Sequence, residues 1–433
     1  MASAARPTSV SAAPRSRRNP KPVEYNILLT ATLCLLAAGA VMVYSASSAR
    51  TLLEGQGDGT TYLVKYLAFG ACGLVVMQLL ARGGLELLPR FTPALLALSF
   101  LLLVAVKIPG IGIEVNGARR WLGAGPLQFQ PSELMKLALV LYAAGLLATT
   151  PARLRTVKGV TGPLLLVAGA AMLLVASQPD LGTSLVIAFT LGALLLVAGI
   201  PLGLIGRIAG VGAVLVMLFI VVEPYRAARL TAFVNPWAHA DSIGFQSVQG
   251  QIALGSGGFF GVGLGESVQK VFYLPEAHTD FILAVIGEEL GIAGICGLLF
   301  LYGLIAYAGL RTAKSAATRY SQLLAAGLTA LIMCQALLNV FAVLGIAPLT
   351  GVPLPFISSG SSSLLVLLAT MGLLLNVAAR STSHLVALPG QPTAWRADAR
   401  GSGGAESVDR RGRDGRPRRA GAGGGRAAQG GGR

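Results

Sequence analysis

Ten apolar runs, each about eighteen to thirty residues long, recur between residues 26 and 379, and they decide the class of fold. A stretch of about twenty apolar residues is what a helix needs to cross the hydrocarbon core of a bilayer. Lipid offers no partner to backbone amides, so each run must close its hydrogen bonds internally, which a helix does. The runs fall at about 26–46, 62–81, 92–109, 132–149, 160–177, 181–200, 203–223, 280–309, 322–346 and 361–379. Charged residues make up 12% of the chain, about half of what a soluble protein carries. The expected fold is therefore all-α: a polytopic integral membrane protein with about ten transmembrane helices. One large extracytoplasmic loop, 224–279, precedes the eighth.

Basic residues orient these spans. Arg82 and Arg90, then Arg153, Arg155 and Lys158, then Arg207, then Arg311, Lys314 and Arg319 occupy alternate connections. The positive-inside rule makes that face cytoplasmic, together with both basic termini. Residues 1–23 read as a disordered basic arm and 386–433 as a disordered Gly/Arg-rich tail, flanking a membrane domain at 24–385. The tail holds ten arginines after Trp395 with no interleaved aromatic. Anionic membrane lipids, rather than nucleic acid, are its expected contact. The four cysteines all lie inside apolar runs without a CxxC pair, which indicates neither a zinc site nor a disulfide framework.

Acidic residues of the membrane body gather on the opposite face: Glu114, Glu133, Asp180, Glu223, Asp241, Glu266, Glu276 and Asp280. Arg119, Arg120, Arg226, Arg229 and Lys270 join them against the positive-inside tendency. For any one of these, pairing within the set is explanation enough. For the set as a whole, an anionic substrate is the stronger reason. In Asn116–Lys136, Arg119 and Arg120 offer guanidinium forks matched to phosphate oxygens, and Trp121 suits an interfacial ring or a sugar platform. Ser132 is expected to cap the next helix, with Glu133 complementing its dipole. Lys136, one turn inside, must either pair with a carboxylate or reach a lipid phosphate. Asp180, in a very short turn, suits capping at least as well as chemistry.

The segment Lys270–Gly291 places Asp280 at the lip of a long apolar helix, where an ionised group needs a partner or a task. His278 has no ligand-spaced partner and reads as interfacial. Glu288 falls on the face of Asp280, about 12 Å deeper at 1.5 Å per residue, and is expected to bind a basic partner. Gly255–Gly265 contains a GxGxG pattern, but no strand precedes it, so a nucleotide-binding loop is rejected. Its glycines serve tight turning or the approach of the backbone to a substrate. Pro353–Ser363 is a proline-broken, hydroxyl-rich entry to the last span, suited to lining a polar cavity.

Taken together, VMVYSASS at Val41–Ser48, NGARRW, QPSE, QPDLGTS, the run from Phe245 through YLPEAHTDF to IGEELG, and PLTGVPLPFISSG resemble the SEDS family (shape, elongation, division and sporulation). The resemblance covers about residues 24–380 and is closer to the division member than to the elongation member. It implies a peptidoglycan glycosyltransferase of the bacterial cell membrane that polymerises lipid II on the outer face. A class B penicillin-binding protein that crosslinks the strands, and other divisome proteins, are the implied partners. Asp280 matches the acidic residue regarded as catalytic in the family, Arg120 the arginine before the tryptophan, and Lys136 the lysine after QPSE. The chain departs from the family pattern at Gln128, often basic, and at Ser359 and Ser361, often tyrosine and usually glycine.

Glycan polymerisation assigns Asp280 the proton of the attacking 4-hydroxyl, in a single displacement that inverts the anomeric centre. Arg119, Arg120, Lys136, Lys270 or a divalent cation, Mg or Mn, would neutralise the departing diphosphate. A lipid II flippase or transporter is the alternative from another class, kept open by Glu288 and Glu289. A scaffold that only recruits the crosslinking enzyme is a third reading, and it leaves Asp280 unexplained.

Overall fold

The computed structural model describes residues 21–53, 59–115, 117–124, 127–149, 162–222, 224–271 and 274–381. The expected tail 386–433, all but the last three residues of the basic arm, and the connection holding Arg153, Arg155 and Lys158 lie outside them. Each of the ten expected spans is a helix: α1 (Val23–Leu53), α2 (Thr61–Arg82), α3 (Leu88–Ala105), α4 (Pro131–Thr149), α5 (Gly162–Ala176), α6 (Leu181–Ala198), α7 (Leu202–Val222) and, after the long connection, three more. Two short helices, α8 (Pro224–Val234) and α9 (Phe245–Ser256), lie within that connection, and α10 (Ile282–Ser315), α11 (Arg319–Val343) and α12 (Ser361–Arg380) complete the bundle. Among the described residues, nine helices are long and apolar enough to cross a membrane, and α5 is a shorter apolar helix of 15 residues.

The bundle is not layered evenly. In the most apolar window of each helix, 89% of α12, 78% of α11 and 67% of α4 is buried, against none of α7. The first three form the centre, and α7 turns its side chains outward. Lipid tails are as apolar as leucine, so helices associate by close backbone approach rather than by exclusion of water. Gly372 of α12 shows this: a Cβ there would lie 2.6 Å from the Met77 carbonyl oxygen of α2. One turn on, Asn376 donates to the Leu80 and Gly83 carbonyls at 2.6 and 2.8 Å, tying α12 to the end of α2.

The helical class holds, with one addition that the apolar pattern did not announce. Residues within the expected 110–131 connection form a three-stranded antiparallel sheet, β1 (Gly112–Val115), β2 (Ala118–Ala124) and β3 (Leu127–Phe129). Val115 pairs with Ala118 across a two-residue link whose Gly117 has φ +73°. Ser132 does not cap α4, which begins at Pro131. Its hydroxyl instead donates to Asp180 at 3.4 Å. Asp180 is the cap of α6, accepting the Thr183 amide at 3.1 Å.

The glycine-rich segment 257–265 explains how α10 is built. At Gly291 the helix breaks, with φ +65° and ψ −163°, a conformation in essence open only to glycine. The carbonyls of Glu288 and Glu289 then accept the amides of Val262 and Gly263 at 2.9 and 3.1 Å. In return, the amides of Ile292 and Ala293 donate to Gly258 and Phe259 carbonyls, both at 3.1 Å. The loop is spliced into the break, and the backbone groups that the break releases are paired inside protein, as membrane depth requires. Gly261, at φ +82°, admits this approach: a Cβ there would meet the Glu289 carbonyl oxygen at 2.1 Å. Tight turning is the expected use that the positive φ of Gly258, Gly261, Gly263 and Gly265 bears out, and the partner that Gly261 approaches is helix α10.

Candidate functional site

Asp280 stands two residues ahead of α10, half-buried, where three segments meet. From α11, Asn339 donates to the Asp280 carbonyl at 2.7 Å and to the Val352 carbonyl at 2.8 Å. From the connection 351–359, Ser358 donates to the Thr279 carbonyl at 2.5 Å, and the Ser359 amide and hydroxyl both reach the His278 carbonyl, at 3.1 and 2.9 Å. The backbone of 278–280 is thus gripped residue by residue. That connection is itself anchored from below, since Tyr302 donates to the Pro355 carbonyl at 2.6 Å and Tyr66 to the Phe356 carbonyl at 2.5 Å. The side chain of Asp280 faces Gly351: a Cβ at that position would lie 3.8 Å from Oδ2.

Two carboxylates share one hydroxyl here. Thr279 Oγ1 lies 3.0 Å from Glu276 Oε2 and 3.2 Å from Asp280 Oδ1. Burial pushes the Asp280 carboxyl up to about 7, and the negative charge of Glu276 adds to the rise. Its own backbone amide, the Thr279 hydroxyl and the Arg229 guanidinium pull the other way. A carboxylate poised near neutrality accepts a proton efficiently at working pH. His278 packs its ring against Tyr62 with centroids 4.2 Å apart.

The other expected site residues are placed less alike. Arg119 pairs with Glu114 at 3.1 Å across β1 and β2, both well exposed. Arg120 is half-buried and bound to the turn before α6: its Nε donates to the Gln178 carbonyl at 2.9 Å and its Nη2 to that of Pro179. Trp121 is half-buried in β2 opposite Ile113. Lys136 is buried, pairs with Glu133 at 2.9 Å and donates to Gln335 Oε1 at 2.7 Å. Gln335 lies one turn before Asn339 on α11 and also donates to the Pro353 carbonyl at 3.1 Å. Lys136 and the Asp280 peptide are therefore held by neighbouring rungs of a single helix, and both rungs brace the 351–359 connection.

Lys270 is placed apart from that grouping. It is 4% exposed and pairs with Glu289 at 2.7 Å, while also donating to Ser45 of α1 at 3.1 Å and to the Gly265 carbonyl at 2.7 Å. Ser45 in turn donates to Glu289 at 2.7 Å. The carboxylate that binds a basic partner is thus Glu289, not Glu288 as helix periodicity suggested. Glu288 accepts from Ser267 and from the Val268 amide at 3.1 Å. Reading Asn339, Gln335 and Arg229 into the site required three-dimensional information, although an Asn and a Gln one turn apart in an apolar helix are a signal that polar partners face them.

Among the described residues, no group of three His, Cys, Asp or Glu side chains is placed to hold a metal ion. The Glu276–Asp280 pair is what the site offers a cation. Magnesium typically uses one or two carboxylates together with substrate phosphates, so the pair suits it.

A family model described as cell cycle protein, covering FtsW, RodA and SpoVE, matches residues 26–383. Stage V sporulation protein E of Bacillus subtilis is 38% identical over 351 residues, 81% of this chain and 96% of the relative. A probable peptidoglycan glycosyltransferase FtsW of Trichlorobacter lovleyi is 40% identical over 357 residues, 82% of this chain and 93% of its own length. Among solved structures, a chain of a peptidoglycan synthase complex that coordinates polymerization and crosslinking superposes with TM-score 0.68 at 30% identity, covering 81% of this chain and 96% of that one. The rod shape determining protein RodA of Thermus thermophilus superposes with TM-score 0.59 at 29% identity, covering 82% and 96%.

Proposed function

This chain belongs to the FtsW, RodA and SpoVE family of cell cycle proteins, and on that footing we propose that it is a peptidoglycan glycosyltransferase that polymerises lipid II. The observation that carries the reading is Asp280: a half-buried carboxylate ahead of α10, its backbone clamped from two sides and its side chain shifted to about 7. The face carrying Asp280 is extracytoplasmic, and both termini are cytoplasmic, as the distribution of arginine and lysine supports.

The acceptor sugar presents a 4-hydroxyl to Asp280. As its oxygen bonds to the anomeric carbon of the donor, the proton passes to the carboxylate and the bond to the diphosphate breaks. The diphosphate leaves as an anion and needs no acid. One displacement of this kind inverts the anomeric centre. A Mg or Mn ion held by Glu276 and Asp280 would, when bound, neutralise charge on the phosphate oxygens. The relatives named FtsW favour septal wall synthesis as the process served. The synthase complex among the structural neighbours favours a class B penicillin-binding protein as partner. A transporter reading loses its motive, because Glu288 and Glu289 are consumed in bonds to the loop and to Lys270.

The test is polymerisation of purified lipid II, followed on gels, with Asp280→Asn and Asp280→Ala. Both variants should melt as the wild type does and yield no glycan. Normal product from either would end the assignment of Asp280 as the base.

A further inference from the structure

Two uncharged polar side chains of α11, Gln335 and Asn339, are 0% and 1% exposed. Neither has a part in the transfer as described above. A carboxamide sealed in an apolar bundle is costly unless its hydrogen bonds are made, so what these two hold matters.

Lys136 decides which way Gln335 points. Its ammonium, kept in place by Glu133 at 2.9 Å, can only donate, so the Gln335 atom 2.7 Å away is Oε1. Nε2 is thereby turned to the Pro353 carbonyl at 3.1 Å and to Ser363 Oγ at 3.3 Å. One turn on, Asn339 donates from Nδ2 to two main-chain carbonyls, Asp280 at 2.7 Å and Val352 at 2.8 Å. Its Oδ1 stays buried with no partner among the described residues. The side chain is set for those two donations at the expense of its own oxygen.

The two carbonyls held in the 351–359 connection belong to consecutive residues, Val352 and Pro353. The residue before them, Gly351, is the wall that Asp280 Oδ2 faces. One carboxamide therefore ties the Asp280 main chain to that wall, and the next, oriented by a lysine, fixes the wall to α11. Both side chains are too deeply buried to meet a substrate, so anything they contribute to transfer passes through the Asp280 peptide.

We propose that Asn339 and Gln335 are positioning residues of the glycosyl transfer, and that Lys136 serves the reaction by orienting Gln335 and not by meeting the diphosphate. The relay holds the spacing between the Asp280 carboxylate and Gly351. Misplacing a reacting group by about 1 Å slows a step about a hundredfold, without any loss of substrate contacts. This rests on the reading of Asp280 as the base.

The test combines kinetics with a readout that needs no turnover. Asn339→Leu and Gln335→Met remove the donors at similar volume, and Gln335→Glu keeps an acceptor for Lys136 but, ionised, cannot donate to Pro353. In all three, kcat for polymerisation of lipid II should fall, by up to about a hundredfold, with KM near the wild-type value. Amide hydrogen exchange should quicken in residues 278–281 for Asn339→Leu, and in 349–354 for all three. The double variant Lys136→Met/Gln335→Met should be no slower than the slower single variant, as expected of residues acting in series. If Lys136→Met fails to fold, Gln335→Glu against Gln335→Met carries the test: equal losses support the relay, and wild-type kcat in Gln335→Glu overturns it. Wild-type exchange in both segments, or a raised KM at unchanged kcat, also overturns the proposal. Losses that multiply in the double variant return Lys136 to direct contact with the diphosphate and refute its part in the relay. Glycan made by Asp280→Asn would instead sink the base assignment, and the exchange rates would still judge the relay.

Discussion

Replacing Glu276 with Gln removes one negative charge from beside Asp280 while keeping the shape of the side chain. Because both carboxylates meet the same Thr279 hydroxyl, at 3.0 and 3.2 Å, their oxygens lie within about 6 Å of each other. At that range two unit charges interact by ~0.7 kcal/mol in water and ~2.8 kcal/mol at an effective dielectric of about 20. At 1.36 kcal/mol per unit, the Asp280 carboxyl falls by roughly 0.5 to 2 units. The sign follows from which form works. Burial and Glu276 raise the group to about 7, so below that pH it is protonated and cannot accept the proton of the 4-hydroxyl. Wild-type kcat/KM for lipid II should therefore fall on an acid limb centred near 7, and Glu276→Gln should move that limb to lower pH. Arg229→Gln is the control of opposite sign, since the guanidinium pulls the carboxyl down and its loss moves the limb up. The measurement is initial rate of glycan formation against pH for the three proteins. A limb that stays fixed in Glu276→Gln, or moves upward, refutes the account of Asp280 as a base tuned by its neighbour.

Two further outcomes test the framework that holds the site. Lys270→Met strands Glu289 without its cation inside the protein, which should cost about 3–5 kcal/mol. Thermal unfolding in detergent should show a clear drop, partly recovered by adding Glu289→Leu; a melting temperature equal to wild type would remove the pair from the structural account. Gly291→Ala should be destabilising, by about 1–3 kcal/mol from backbone strain alone. A Cβ there meets the Gly261 amide nitrogen and the Phe259 carbonyl oxygen, each at 2.5 Å. Protease cutting within 257–265 should then quicken, and cutting at the wild-type rate would contradict the splice.

Most of the bundle is legible in the sequence because it rests on local arithmetic. The apolar runs had the length of a membrane crossing, and Asp180 sat where a helix start wants an acceptor, which it supplies to Thr183. The small sheet escaped because its residues, such as Arg119-Arg120-Trp121, do not alternate cleanly. Asn116-Gly117 was the missed signal, being a favoured two-residue hairpin link. The surroundings of Asp280 were less readable still. Asn339 reaches it across 59 positions of sequence, and Lys136 meets Gln335 across 199. Periodicity spoke for Glu288 as the acid with a basic partner, yet the break at Gly291 and the spliced loop delivered Lys270 to Glu289 instead.

The interruption at Gly291 also sets what can disturb Asp280. The stub Ile282–Leu290 is a separate peg, fastened by loop amides on one side and by Lys270 and Ser45 on the other. The loop that fastens it also holds the shaft, since Gly258 and Phe259 accept the Ile292 and Ala293 amides, so a tilt of the shaft reaches the peg through residues 257–265. A regulator that moves the carboxylate therefore has three handles: the 257–271 segment, the 351–359 segment and helix α11, whose Asn339 holds the Asp280 carbonyl.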